Sequence, residues 1–138
     1  AATVANKGEQ MTPYLVSRIL DPDLNEVSST STKVARTPID SATASSLSSL
    51  MQTAVAEGTG TSAQVSGVQV AGKTGTAETG TDSGPTTWFV GFAGTDIDKP
   101  EIALAVVLDG NAETEDGATG GKIAGPVAAQ VIDAAVNQ

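Results

Sequence analysis

The sequence predicts an α+β domain in which an antiparallel sheet, a three-strand meander, packs against helices. Three observations carry this expectation. Residues 40–57 and the stretch after Pro126 repeat apolar side chains at helical spacing, whereas 63–77, 86–93 and 101–109 are β-branched, aromatic or continuously apolar. The connections between the three strand-like segments are short, which makes neighbours antiparallel. At 138 residues the chain suits one domain, or part of one, with a real core.

Taken in order, residues 1–8 read as the end of a helix, with Lys7 favourable at the C-terminal dipole and Gly8 able to take the left-handed stop. No cap precedes that helix, so the chain is expected to be the C-terminal portion of something larger. Residues 12–20 alternate as a strand, with Tyr14, Val16 and Arg18 on one face and Leu15, Ser17 and Ile19 on the other. Asp21-Pro22-Asp23 turns the chain, and the Ser/Thr run 28–33 reads as solvated strand or loop, with an exposed connection favoured.

Asp40 or Ser41 caps a helix running to about Glu57, with Leu47, Leu50, Met51, Ala54 and Val55 as its buried face and Gly58 as its end. Gly58-Thr59-Gly60-Thr61 reads as a flexible link into a strand beginning in 63–70. A hairpin-length loop at 79–85 leads to a second strand at 86–93, where Trp88, Val90 and Phe92 share a face and the aromatics Trp88 and Phe89 are expected in the core. After the turn Asp96-Ile97-Asp98-Lys99-Pro100, the apolar run 101–109 is expected to be central and covered on both faces. An acidic glycine-rich loop fills 110–121. Pro126 then stands at the first helical position, and Val127, Val131, Ala134 and Ala135 supply the stripe of a closing helix.

Sixteen acidic against seven basic residues give a formal charge of −9, which repels phosphate backbones and argues against nucleic acid as a partner. The chain has no cysteine and no histidine, which excludes thiolate and imidazole metal sites and any Ser-His-Asp triad built from it alone. No metal and no cofactor is expected. No apolar run approaches the roughly 20 residues that span a bilayer, and the N-terminus lacks signal-peptide features.

The most informative stretch is Gly72-Lys73-Thr74-Gly75-Thr76-Ala77-Glu78. On a strand, Lys73, Gly75 and Ala77 point to one face and Thr74 and Thr76 to the other, so both hydroxyls address one bound group together. Gly75 lets a ligand approach the backbone closely. A cation and two hydroxyls in this arrangement suit an anionic, carbonyl-bearing ligand. The overlapping segment 67–74 also fits the phosphate-loop pattern, but Val68-Gln69-Val70 forms strand rather than loop, and Gly75, Gly80, Gly84 and Pro85 cannot continue a helix. In the acidic loop a calcium reading fails at its sixth position, Thr114, where an EF-hand needs glycine.

The seven-residue stretch resembles the third active-site motif of the class B penicillin-binding proteins, within the penicillin-recognising serine enzyme superfamily. The Gly-Thr-Gly-Thr link, the Lys-Thr-Gly strand, Trp88-Phe89-Val90-Gly91-Phe92-Ala93-Gly94 and the apolar strand come in that family's order, so the resemblance spans nearly the whole of 1–138. It implies a β-lactamase/transpeptidase-like fold whose sheet has five strands. It also implies a parent serine D,D-transpeptidase that cross-links peptidoglycan stem peptides ending in D-Ala-D-Ala and is acylated by β-lactams. By the same resemblance Lys73 and Thr76 are catalytic, through positive potential and an oxyanion-hole N–H, while Thr74, Gly75 and Thr76 bind the substrate carboxylate. The substrate peptide would lie along this strand as an added strand.

The family's Ser-x-x-Lys and Ser-x-Asn motifs do not occur here: no lysine has serine three positions earlier and no asparagine has serine two earlier. The chain is therefore expected to hold the substrate-clamping half of an active site, inactive alone, with the missing N-terminal portion or a second copy as partner. Its implied location is the extracytoplasmic face of the bacterial cytoplasmic membrane, anchored by a segment outside this chain. A β-lactam sensor or D,D-carboxypeptidase of the same superfamily, or a non-catalytic cell-wall module, are the alternatives.

Overall fold

The computed structural model describes residues 1–78, 84–110 and 118–137. Helix α1 (Ala2–Ala5) is a single turn. Gly8 N–H donates to the Thr3 carbonyl at 2.8 Å and Lys7 N–H to the Val4 carbonyl at 3.1 Å, the paired bonds of a Schellman stop. Asn6 is the C-cap, so the left-handed residue of that stop is Lys7 at φ 53°, and Gly8, the expected stop, follows it at φ 100°. Gly8 is needed as well, because a side chain there would collide with the Ile39 carbonyl.

The strand expected over 12–20 is interrupted. β1 (Gln10–Met11) pairs with β4 (Val34–Arg36), and β2 (Arg18–Leu20) forms a hairpin with β3 (Glu26–Ser29). The Asp21 carboxylate closes that hairpin by accepting from the Asp23 and Asn25 backbone N–H groups, both at 2.9 Å. Ser28 and Ser29, expected in a connection, lie in β3. Met11, all of β2, β3 and β4, and every residue of 12–17 are exposed, so the alternation of 12–20 sorts no buried face from a solvent face. A pair of two-stranded ladders has too little area to make a core of its own.

Helix α2 (Ser41–Ala56) begins where the sequence places it, with the Asp40 carboxylate accepting from Thr43 N–H at 2.7 Å. Its buried face is the expected one in part: Val55 is buried and Met51 and Ala54 are half-buried, whereas Leu47 and Leu50 are 38% and 67% exposed and Ala44, not expected there, is buried. The Gly-Thr-Gly-Thr segment is not a loose link. Gly60 N–H donates to the Ala54 carbonyl at 3.0 Å, and a short 3-10 turn, Thr61–Ala63, buries Ala63 completely. Val65 and Val68 then bridge across a tight turn in which Gly67 has φ 76°.

The predicted meander is present: β5 (Gln69–Ala77), β6 (Thr86–Gly94) and β7 (Ile102–Leu108) form an antiparallel sheet in the order β5-β6-β7. β6 is the central strand, with Phe89 and Phe92 fully buried, while Trp88 is 38% exposed and not in the core. β7, expected to be central, is an edge strand among the described residues. Its residues alternate between half-buried and exposed, because only one face is covered. Residues 79–83 and 111–117, which contain most of the hairpin loop and of the acidic loop, lie outside the described residues, and so does the calcium reading.

Helix α3 (Ala124–Val136) covers that face of the sheet. It starts two residues before Pro126, which sits in the first turn, where its missing N–H costs nothing. The buried stripe is Ala124, Gly125, Ala128 and Ile132, not the expected one: Val127 and Val131 are 39% and 42% exposed, and Ala134 and Ala135 are exposed. Residues four apart with almost no side chain allow the helix backbone to lie close against Phe89, Val70 and Ala93. Burying a side chain the size of Phe89 contributes about 1.5–3 kcal/mol.

Candidate active site

The sequence 72–78 folds as strand because its threonines suit the pleated surface and its neighbour β6 offers a full ladder of partners from Gln69↔Gly94 to Ala77↔Thr86. Gly72, Lys73 and Thr74 lie within β5, and no helix follows Thr74, so the phosphate-loop geometry is absent. β5 stands at the end of the strand order, leaving its outer edge unpaired among the described strands. Antiparallel strands turn the N–H and C=O of alternate residues to the same side, so Thr74 and Thr76 present their backbone groups to one edge together.

The two faces of β5 carry different equipment. Lys73 and Gly75 share the face of Trp88, which pairs with Gly75 across the ladder. A Cβ on Gly75 would stand 3.3 Å from the Trp88 Cβ, so glycine keeps this part of the strand uncrowded. The exposed Lys73 ammonium donates to the Thr74 carbonyl at 2.7 Å, which holds the cation beside the threonine pair. Thr74 is half-buried and Thr76 exposed, and both lie on the opposite face with Phe89 and Thr87. All four expected site residues, Lys73, Thr74, Gly75 and Thr76, are thus contiguous on one edge strand.

Two further groups reach this pair, and neither was anticipated from the sequence. The Thr59 and Thr74 hydroxyls lie 2.6 Å apart, and the Gly120 N–H donates to Thr76 Oγ1 at 3.2 Å. Gly120 belongs to the turn before α3 and is buried against β5. A side chain on it would overlap the Gly75 and Trp88 carbonyls, and one on Gly121 would overlap the Thr59 carbonyl. Ser62 Oγ donates to the Gly121 carbonyl, tying the turn to the segment that carries Thr59. The signals were present as Gly-Thr-Gly-Thr and Gly-Gly, but glycine and threonine in a connection read as flexibility until a partner is known.

Thr87, opposite Thr76 on β6, is 1% exposed, and its hydroxyl has no hydrogen-bond partner among the described residues.

Comparison with known proteins gives a consistent result. The family model described as penicillin binding protein transpeptidase domain matches residues 1–133. The chain is 40% identical over 141 aligned positions to the peptidoglycan D,D-transpeptidase PbpA of Mycobacterium tuberculosis H37Rv, covering 99% of this chain and 28% of that protein. It is 38% identical to PbpA of Mycolicibacterium smegmatis, covering 100% of this chain and 28% of the relative. Among solved structures, the ceftriaxone acyl-enzyme complex of penicillin-binding protein A from M. tuberculosis superimposes with a TM-score of 0.83 at 39% identity, over 97% of this chain and 30% of that one. The imipenem acyl-enzyme complex of the same protein gives 0.78 at 36% identity, over 98% and 29%. The chain therefore spans less than a third of the length of these relatives.

Proposed function

The chain belongs to the penicillin-binding protein transpeptidase domain family, and from that membership we propose that residues 1–138 form the substrate-clamping C-terminal portion of a peptidoglycan D,D-transpeptidase. The observation that carries this reading is the unpaired edge of β5, with Lys73, Thr74, Gly75 and Thr76 contiguous along it. A stem peptide ending in D-Ala-D-Ala adds to that edge as a strand, its terminal carboxylate received by the Thr74 and Thr76 hydroxyls. The Thr76 N–H stabilises the oxyanion of the attacked carbonyl, and Lys73 supplies positive potential beside it. β-Lactams, which carry a carboxylate and a strained carbonyl, occupy the same groups.

The serine nucleophile and its base lysine come from residues outside these 138, since neither Ser-x-x-Lys nor Ser-x-Asn occurs in the sequence. The portion that carries them docks on the outer edge of β7 and completes a five-stranded sheet, and the chain alone is inactive. The function is exercised at the extracytoplasmic face of the cytoplasmic membrane. Among the described residues no helix is long and apolar enough to cross a membrane, so the anchor also lies outside them.

The test is Lys73→Ala in the full-length protein that carries this segment. Acylation by benzylpenicillin should slow by about a hundredfold or more, the scale of losing one electrostatic contact at such a site. Thermal stability should stay unchanged, because an exposed lysine contributes little to it. Equal acylation rates would return Lys73 to the role of a surface residue.

A further inference from the structure

A threonine hydroxyl can help bind a carboxylate only if its single proton points at the carboxylate. A hydroxyl that spends its proton elsewhere offers a lone pair instead, which repels the anion. The direction of the proton on Thr74 and Thr76 therefore matters as much as the position of the oxygen. In each case a second group stands where it can set that direction.

For Thr76 the assignment follows from donor chemistry alone. Gly120 N–H has only a proton to give, so Thr76 Oγ1 is the acceptor at 3.2 Å and its own proton stays available for a ligand. For Thr74 the partner is another hydroxyl, Thr59 Oγ1 at 2.6 Å, and either oxygen could donate. If Thr59 donates, Thr74 keeps its proton and both threonines of β5 face the ligand as donors. Thr59 is exposed, so water can satisfy its own lone pairs in that arrangement.

The surrounding packing holds both contacts in place. The turn before α3 fits against β5 only because residues 120 and 121 lack side chains, and the Ser62 hydroxyl clamps the Gly121 carbonyl. A side chain on Gly121 would overlap the Thr59 carbonyl and come within 3.9 Å of Thr74 Cγ2. Thr59, the Gly120 amide and the two threonines of β5 thus form one bracket drawn from three separate elements.

We propose that Thr59 and the Gly120 amide are positioning groups that fix the Thr74 and Thr76 hydroxyls as hydrogen-bond donors toward a ligand carboxylate. The inference rests on the transpeptidase reading above and assigns to the Gly-Thr-Gly-Thr segment a part in carboxylate recognition. Gly120 contributes through its backbone and cannot be tested by side-chain removal, so Thr59 is the residue to change.

The experiment compares acylation of the full-length protein by benzylpenicillin and by its methyl ester, which lacks the free carboxylate. Thr59→Val should slow acylation by benzylpenicillin about three- to tenfold, the scale of one net hydrogen bond, and leave the ester rate unchanged. Thr59→Ser should restore the wild-type rate. In a Thr74→Val background, Thr59→Val should cause no further loss, because its effect passes through Thr74. Should Thr59→Val fail to fold, Thr59→Ala carries the same expectations. Equal losses on both ligands, a full additional loss in the Thr74→Val background, or no loss at all would each overturn the positioning role. If Lys73→Ala still slows acylation while Thr59→Val does not, only this inference fails. If Lys73→Ala leaves the rate unchanged, the transpeptidase reading of the strand fails first.

Discussion

The ring of Phe89 lies across Gly72, so close that a methyl group on Gly72 would overlap its outer carbons. The two residues belong to adjacent strands, and the ring occupies the space that a side chain at 72 would take. This is how a fully buried phenylalanine fits beneath the strand that carries the candidate site.

Gly72→Ala should therefore destabilise the protein through overpacking, by about 1–3 kcal/mol. Thermal or denaturant unfolding measures the loss. A stability equal to wild type would mean that Phe89 can leave this position without cost.

Thr87→Val should stabilise. The Thr87 hydroxyl is buried without a hydrogen-bond partner among the described residues, and valine has nearly the same shape. Removing a desolvated, unpaired hydroxyl should gain about 1 kcal/mol, read as a rise in unfolding midpoint. A loss of similar size would reveal that the hydroxyl is engaged.

Acid should weaken the start of α2. The Thr43 backbone N–H donating to Asp40 holds that carboxyl below the ordinary carboxylate value. A depressed folded pKa means that the stabilisation is fully present above the unfolded value of about 3.9 and disappears as pH falls through the lower folded value. The difference in melting temperature between wild type and Asp40→Ala should accordingly be constant from neutral pH to about pH 5 and shrink below pH 4. A difference that persists undiminished at pH 2 would assign the cap to something other than the ionised carboxylate.

The isolated chain of 138 residues should neither hydrolyse nor retain benzylpenicillin, because no serine in it precedes a lysine by three positions. Intact-mass measurement after incubation should show only the unmodified chain, and a stable adduct would refute the division of labour proposed for this segment. In the full-length protein, Thr76→Val should slow acylation less than Lys73→Ala. The valine removes a hydroxyl and keeps the backbone N–H, whereas alanine at 73 removes the charge.

Much of the fold was legible because it depends on neighbours in the chain. Asp40 caps α2 through Thr43, three residues away, and the turn at 96–100 closes through Asp96 and Lys99. The β5-β6-β7 order follows from short connections. The candidate strand was legible for the same reason, since alternation alone puts Thr74 and Thr76 side by side.

What failed were the continuous strand over 12–20, the loose link at 58–61 and the choices between faces. In α3 the sequence favours Val127 and Val131, yet Ala124, Ala128 and Ile132 face the sheet. In α2 Val55 is buried as expected, but Leu47 and Leu50 are exposed and Ala44 is buried in their place. Each buried face mixes small residues, Ala44, Ala124 and Ala128, with a large one, Val55 or Ile132, and which positions meet the sheet is set by the opposing surface and invisible to a hydrophobicity count. Trp88 and β7 were misplaced on the same ground, because how far a strand is covered depends on what lies beside it.

The sequence by itself determined α2, α3, the β5-β6-β7 meander and the contiguity of Lys73, Thr74, Gly75 and Thr76 on one strand, since local pattern and short-range hydrogen bonds specify these. Only the tertiary structure decided which helix face is buried and that Thr59 and Gly120 meet Thr74 and Thr76. Those contacts join positions 15 and 44 residues apart, and no local periodicity encodes a distance of that kind. They exist because the turn before α3 packs against β5, where glycines leave room for it.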